Sequence, residues 1–300
     1  MSFTGSRTDP PATRPKCTVH TLAECKRNRQ RITALTAVDY PSARLIDEAG
    51  VDLTLVGDSL AMTVLGHPDT LSITMDEMLH HTRAVRRGTH TALLVADMPY
   101  GSYHTGIDDA VRNALRFVKE AGAEAIKLEG GRERADIVER ITRAEIPVVG
   151  HIGLTPQSVH RMGGYTVQAR TLIAIDNLMA DAAALEGAGA VALVLEGVPR
   201  EVAAQITAQA RIPTIGIGAG PECDGQILVF HDLVRLTFTP PAKFVRPFGD
   251  AGTTMREAIQ HYCDAVTRGD FPSDNESYHL PLEVREALKL ATPEPAEVSA

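Results

Sequence analysis

Tryptophan is absent from this chain of 300 residues, and only 4% of the residues are aromatic. Such a composition lacks the stacking platforms of single-stranded nucleic-acid binders. Positive charge is in deficit as well. The formal net charge of −8 argues against a protein that tracks a phosphate backbone, so no nucleic-acid partner is expected. Cysteine is sparse: Cys17, Cys25, Cys223 and Cys263 are the whole set, and no two form a C-x-x-C pair. That spacing speaks against a zinc or dithiol redox motif. Unpaired thiols in a chain of this size fit a reducing compartment, and a cytoplasmic location is the expectation. No apolar run approaches the ~18 residues of a membrane helix, and no membrane partner is expected. Residues 1–16 have no apolar signal core and read as a disordered N-terminal tail.

What is present is a core-forming chain with a rhythm. Hydrophobic residues make up 44% and charged residues 23%, ordinary values for a globular protein. A helix is expected over residues 21–31, where Lys26, Arg27, Arg29 and Arg31 read as a solvated face. Nearly continuous apolar runs of strand length follow at 32–38, 51–56, 92–96, 124–128, 147–150, 191–195 and 214–217. Runs of this kind suit parallel strands covered on both faces. Helical periodicity occupies 75–87, 108–121, 132–144, 172–187 and 200–210 between them. The stretch 224–235 follows the seventh strand too closely for a parallel neighbour, which normally needs a crossover of about a dozen residues. It is therefore read as the seventh helix, with the eighth strand at 243–248 and the eighth helix at 253–267. Eight β/α units predict a (β/α)8 TIM barrel, with a doubly wound sheet as the alternative. The barrel is expected as one catalytic domain over 17–270, with a peripheral C-terminal tail over 271–300.

Four of these strands end in an acid: Asp58, Asp97, Glu129 and Glu196. Barrel active sites sit at the C-terminal strand ends. Alternate residues of a strand share a face, so Lys127 and Glu129 are expected in the barrel mouth while Ile126 and Leu128 meet helices. By the same parity Leu93, Val95 and Asp97 share a face, as do Ala192, Val194 and Glu196. Crowded carboxylates must be protonated or matched by a cation. An oxygen-only set selects a hard ion, and Mg²⁺ fits because it keeps positions open for substrate oxygens. Lys127 adds a fixed positive charge for a substrate carboxylate or enolate. Glu196 is the expected general base, since an apolar strand beneath it should raise its pKa. His151, just past the fifth strand, is either structural or a hydrogen-bond partner of substrate. The Gly216–Gly220 turn is either a tight βα turn or a phosphate cradle.

Six stretches carry a resemblance beyond these patterns. They are Val56-Gly57-Asp58-Ser59-Leu60, Ala96-Asp97-Met98-Pro99 and Ile126-Lys127-Leu128-Glu129-Gly130-Gly131. The others are Gly150-His151-Ile152-Gly153-Leu154-Thr155-Pro156-Gln157, Leu195-Glu196-Gly197-Val198-Pro199 and Ile215-Gly216-Ile217-Gly218-Ala219-Gly220. In this order they resemble the ketopantoate hydroxymethyltransferase (3-methyl-2-oxobutanoate hydroxymethyltransferase) family over roughly residues 17–270. The resemblance implies an enzyme of pantothenate biosynthesis. It would transfer a hydroxymethyl group from 5,10-methylenetetrahydrofolate to the keto acid 3-methyl-2-oxobutanoate, giving 2-dehydropantoate and tetrahydrofolate. It further implies that Asp58, Asp97 and Glu129 surround Mg²⁺, directly or through water. Asp58, Ser59, Asp97 and Lys127 would hold the keto acid, and Glu196 would accept its C3 proton. A homo-oligomer, commonly a homodecamer, is implied as well. The nearest rival is a Mg²⁺-dependent carbon–carbon lyase or mutase acting on another 2-keto acid without folate. A phosphate-binding module without turnover is a rival of a different class.

Overall fold

Eight parallel strands close into a barrel in strict chain order. The computed structural model describes residues 14–289; the remainder of both expected tails lies outside the described residues. The order begins α1 (Val19–Arg27), β1 (Ile32–Thr36), α2 (Tyr40–Glu48), β2 (Leu53–Val56), α3 (Leu60–Thr63) and α4 (Met75–Gly88). It continues with β3 (Leu93–Asp97), α5 (Ile107–Ala121), β4 (Ala125–Glu129), α6 (Ala135–Thr142), β5 (Val148–Gly153), α7 (Val159–Met162) and α8 (Leu172–Gly187). After these come β6 (Ala192–Glu196), α9 (Arg200–Gln209), β7 (Thr214–Ile217), β8 (Gly225–Leu228), α10 (Phe230–Leu233), α11 (Ala251–Arg268) and α12 (Leu282–Ala287). The described residues fall into two compact units, one ending at Phe248 and one starting at Gly249. The first holds the whole barrel, and the second holds α11 and α12. No described helix is long and apolar enough to cross a membrane.

Local chemistry starts and stops the return helices. Thr74 caps α4 and Glu77 answers it, a reciprocal pair that satisfies two orphan donors. Asp39 does the same for α2, accepting from the Ser42 amide at 2.8 Å. Gly122 ends α5 in the left-handed conformation.

Strand parity sorts the core into two clusters. Ile126, Leu128, Leu94, Ala96, Leu193 and Leu195 join the cluster formed with the outer helices. Their alternates, Ala125, Leu93, Val95, Ala192 and Val194, fill the barrel interior with Ile215 and Ile227. This matches the expected facing of both sets. Helix α1 belongs to the interior cluster through the fully buried Leu22, and Cys17 donates its amide to the Thr91 carbonyl at 2.7 Å. The helix is less solvated than expected. Lys26 donates to the Thr207 carbonyl at 3.0 Å and to Asp224 at 2.7 Å. Lys16, expected in the tail, pairs with Glu124 at 2.6 Å.

The eighth strand differs from its expected position. Residues 225–228, expected to be helical, form β8, which pairs with β7 on one side and β1 on the other. Residues 243–248 form no strand. The crossover rule fails here because β7 is only four residues long, roughly 13 Å. The link 218–224 can reach about 24 Å when extended, enough to return the chain without a helix. Asp224 anchors the end of that link by accepting from the Thr214 amide at 2.8 Å.

Candidate active site

Barrel register decides which strand-end residues become neighbours. Asp97 pairs in register with Lys127, Glu129 with His151, and Gly153 with Glu196. Asp58 follows β2 by two residues and lies beside Asp97, whose Oδ2 accepts from the Asp58 amide at 3.3 Å. The expected residues thus converge at the C-terminal mouth. Lys127 Nζ donates to Asp97 Oδ2 at 2.5 Å and stands 4.0 Å from Glu129 Oε1. His151 lies between two acids, with Nδ1 3.3 Å from Glu129 Oε1 and Nε2 3.2 Å from Glu196 Oε2. These are ion-pair distances, but neither ring nitrogen is aligned for a hydrogen bond. Ser59 opens α3, half-buried, and its hydroxyl makes no capping bond.

Burial sets the electrostatics. Asp58, Asp97, Lys127, Glu129 and His151 are all nearly inaccessible, whereas the Glu196 side chain remains 15% exposed. Burial together with the charges of Asp97 and Glu129 pushes the Asp58 carboxyl well above the ordinary range. Burial also raises Asp97, against the pull of Lys127. For Lys127, the three carboxylates outweigh burial and raise the ammonium further. Burial and Lys127 disfavour a charged His151, but its contacts with Glu129 and Glu196 prevail and lift it to about 9. Glu129 is correspondingly lowered: burial opposes this, but the His151 contact dominates. The two acids favour the charged form of His151, which stands between the fourth and sixth strand ends.

Two residues of this site were not singled out from the sequence. Gln157 donates through Nε2 to Asp58 Oδ2 at 2.8 Å and to the Met98 carbonyl at 3.0 Å. Its own amide donates to Glu129 Oε2 at 2.9 Å. Tyr103, fully buried, donates its hydroxyl to Gln157 Oε1 at 2.5 Å and accepts from the Glu129 amide at 3.2 Å. A signal for Gln157 was its place at the end of the His151–Gln157 motif. Tyr103 had none. In the Gly216–Gly220 turn, Gly218 and Gly220 take the left-handed backbone, and Phe244 and Arg200 occupy the space a Cβ would need. This is the tight-turn alternative.

The donor set suits a hard cation. Asp97 Oδ1 and Glu129 Oε1 are buried carboxylate oxygens without a hydrogen-bond partner. Unsatisfied buried acceptors of this kind need an explanation, and an ion is one. Yet no three His, Cys, Asp or Glu among the described residues form a cage able to hold a metal unaided. Both facts fit an ion that takes one or two carboxylates and completes its shell with water and substrate oxygens.

Comparison with known proteins agrees with the motifs. The profile of the ketopantoate hydroxymethyltransferase family matches residues 16–274. A 3-methyl-2-oxobutanoate hydroxymethyltransferase of Koribacter versatilis is 62% identical over 277 residues, covering 92% of this chain and 94% of its own. The protein of that name from Pelobacter propionicus is 49% identical over 266 residues, covering 89% and 98%. Among solved structures, 2,3-dimethylmalate lyase, a member of the PEP mutase/isocitrate lyase superfamily, aligns with a TM-score of 0.56 at 18% identity, covering 92% of this chain and 98% of its own. Phosphonopyruvate hydrolase in complex with oxalate and Mg²⁺ aligns with a TM-score of 0.57 at 14% identity, covering 91% and 95%. These two likenesses concern the (β/α)8 fold alone. With its profile and its relatives spanning nearly the whole barrel, the chain belongs to the ketopantoate hydroxymethyltransferase family, a family of transferase enzymes.

Proposed function

We propose that the enzyme transfers a hydroxymethyl group from 5,10-methylenetetrahydrofolate to 3-methyl-2-oxobutanoate, yielding 2-dehydropantoate and tetrahydrofolate. The observation that carries this reading is the pair of buried, unpartnered oxygens on Asp97 and Glu129, set against the Lys127 ammonium. Asp97 and Glu129 would hold Mg²⁺ through their unpartnered oxygens, with Asp58 reaching it through water and Gln157 occupying Asp58 Oδ2 and Glu129 Oε2. A bound Mg²⁺ would supply Lewis-acid polarisation of the keto group. Ser59 and Lys127 would bind and orient the substrate carboxylate and keto oxygen.

Glu196 is the side chain open to the mouth, and it takes the C3 proton of the keto acid. The electron pair left on C3 is delocalised onto the keto oxygen. The Lys127 ammonium keeps the local charge balanced while this enolate exists. The carbon–nitrogen bonds of the folate's one-carbon unit break as water supplies its oxygen, C3 bonds to that carbon, and the C3 proton with the two protons of water ends on the two folate nitrogens and the new hydroxyl group. His151, 3.2 Å from Glu196, holds the base in place; this favours its positioning role over contact with substrate. The four unpaired thiols support a cytoplasmic setting, and a homo-oligomer acting on small molecules completes the reading.

The test is tetrahydrofolate formation from the keto acid and methylenetetrahydrofolate, with Mg²⁺ and after chelation. Turnover that requires both substrates and is lost on chelation is expected. Cleavage of a 2-keto acid without folate would instead select the lyase or mutase alternative.

A further inference from the structure

A cavity of about 460 Å³ opens beside the acids, bounded by the loops after β3, β4 and β5. It lies within the usual size range of small-molecule sites. Glu129 and Gln157 form its inner wall, so it is continuous with the catalytic mouth. Its outer wall has a different chemistry. Tyr100, His104 and Tyr103 form a run of rings, with His104 centred 4.8 Å from Tyr100 and 4.3 Å from Tyr103. Tyr100 is 49% exposed, which leaves a flat aromatic face bare at the opening.

The cations of this wall are not all matched. Arg161 stands 4.0 Å from Glu133. Glu129 is already faced by His151 and Lys127. Arg134 has no ion pair among the described residues, and its Nε is buried without a hydrogen-bond partner. Its guanidinium lies 5.6 Å from the Tyr103 ring centre, so aromatic contact, and no acid, holds it in place. An arginine fixed in this way presents its fork to a carboxylate without first breaking another pair. An exposed ring face and an unspent guanidinium on one wall ask for a ligand that is planar at one end and anionic at the other.

We infer that this cavity is the co-substrate subsite, with Tyr100 stacking on a ring of the folate and Arg134 holding a carboxylate of its glutamyl tail. The inference rests on the folate-dependent reading above. It gives a use to the cavity that meets the catalytic mouth at Glu129 and Gln157.

The test is calorimetric binding of tetrahydrofolate to the full chain, using R134Q, R134K and Y100A. Arg134 and Tyr100 lie on different loops, and circular dichroism and melting temperature check that each variant folds. R134Q is expected to weaken tetrahydrofolate about ten- to hundredfold, as for a lost charge-assisted bond, with R134K weakened less. Y100A is expected to weaken it severalfold, in the range of one lost stacking contact. Keto-acid affinity should stay unchanged in all three. With tetrahydropteroate, which lacks the glutamyl group, the R134Q effect should vanish. Wild-type affinity for tetrahydrofolate in both R134Q and Y100A would overturn the subsite and leave the function standing. No tetrahydrofolate binding to the wild type, with keto acid still bound, would overturn the folate reading and the subsite with it.

Discussion

Replacing Gln157 by leucine should damage both stability and catalysis, because one neutral amide ties three loops together. Leucine nearly matches glutamine in volume, so the change tests hydrogen bonding more than packing. The variant keeps the backbone bond to Glu129 but loses the bonds to Asp58, the Met98 carbonyl and the Tyr103 hydroxyl. Each buried group left without a partner costs about 1–3 kcal/mol. Tyr103 still accepts from the Glu129 amide, and losses within one network are not additive, so the expected total is about 3–6 kcal/mol. Asp58 would be free to turn, and misplacement by about 1 Å in such a site costs on the order of a hundredfold in rate. Thermal unfolding reads the first effect, and exchange of the keto-acid C3 proton into heavy water reads the second. Q157E should be worse at neutral pH, since it sets another carboxylate against Asp58. If Q157L melted with the wild type and exchanged the proton at the wild-type rate, Gln157 would be no keystone and the reasoning from its bonds would fail.

Three further outcomes are expected. Glu196→Gln should slow C3 proton exchange by about 10² to 10⁴ while leaving keto-acid binding in place, read by NMR in heavy water. Gly153→Ala should destabilise the barrel by about 1–3 kcal/mol and displace Glu196, because φ is +95° and the new methyl group would meet the Glu196 carbonyl; the melting temperature checks it. Asp47→Asn should cost about 1–3 kcal/mol at neutral pH, because the Asp47 carboxylate accepts from the Thr91 and Ala92 amides at 2.8–3.1 Å. Burial opposes the charged form there, but these amides prevail and hold the folded pKa below its ordinary 3.8. Stability from Asp47 is therefore present above that value and disappears as pH falls through the folded pKa. Denaturant midpoints of wild type and D47N should accordingly converge in acid.

Much of the site was legible in the sequence because strand parity is local. In the run Ala125 to Glu129, the alternation of apolar and polar residues assigns Lys127 and Glu129 to the barrel interior without reference to any other strand. In β3 and β6 every residue before the acid is apolar, so the terminal Asp97 and Glu196 alone mark the face. The eighth strand was not legible, because residues 224–235 carry helical spacing and a link as short as 218–224 suffices only when β7 is short. Tyr103 was not legible either. It sits in a loop with no periodicity, and its partners lie at the end of β4 and in the loop after β5.

The sequence by itself determined which side chains point into the barrel and which chemistry they bring, since a period of two and a residue's identity are properties of a short segment. Only the tertiary structure decided who meets whom. Asp97 faces Lys127, and Glu129 faces His151, because of barrel register. Gln157 reaches Asp58 across 99 residues of chain because closure brings the β2 and β5 loops over one mouth. Register and closure are set by pairing and packing between distant segments, and no local pattern encodes them.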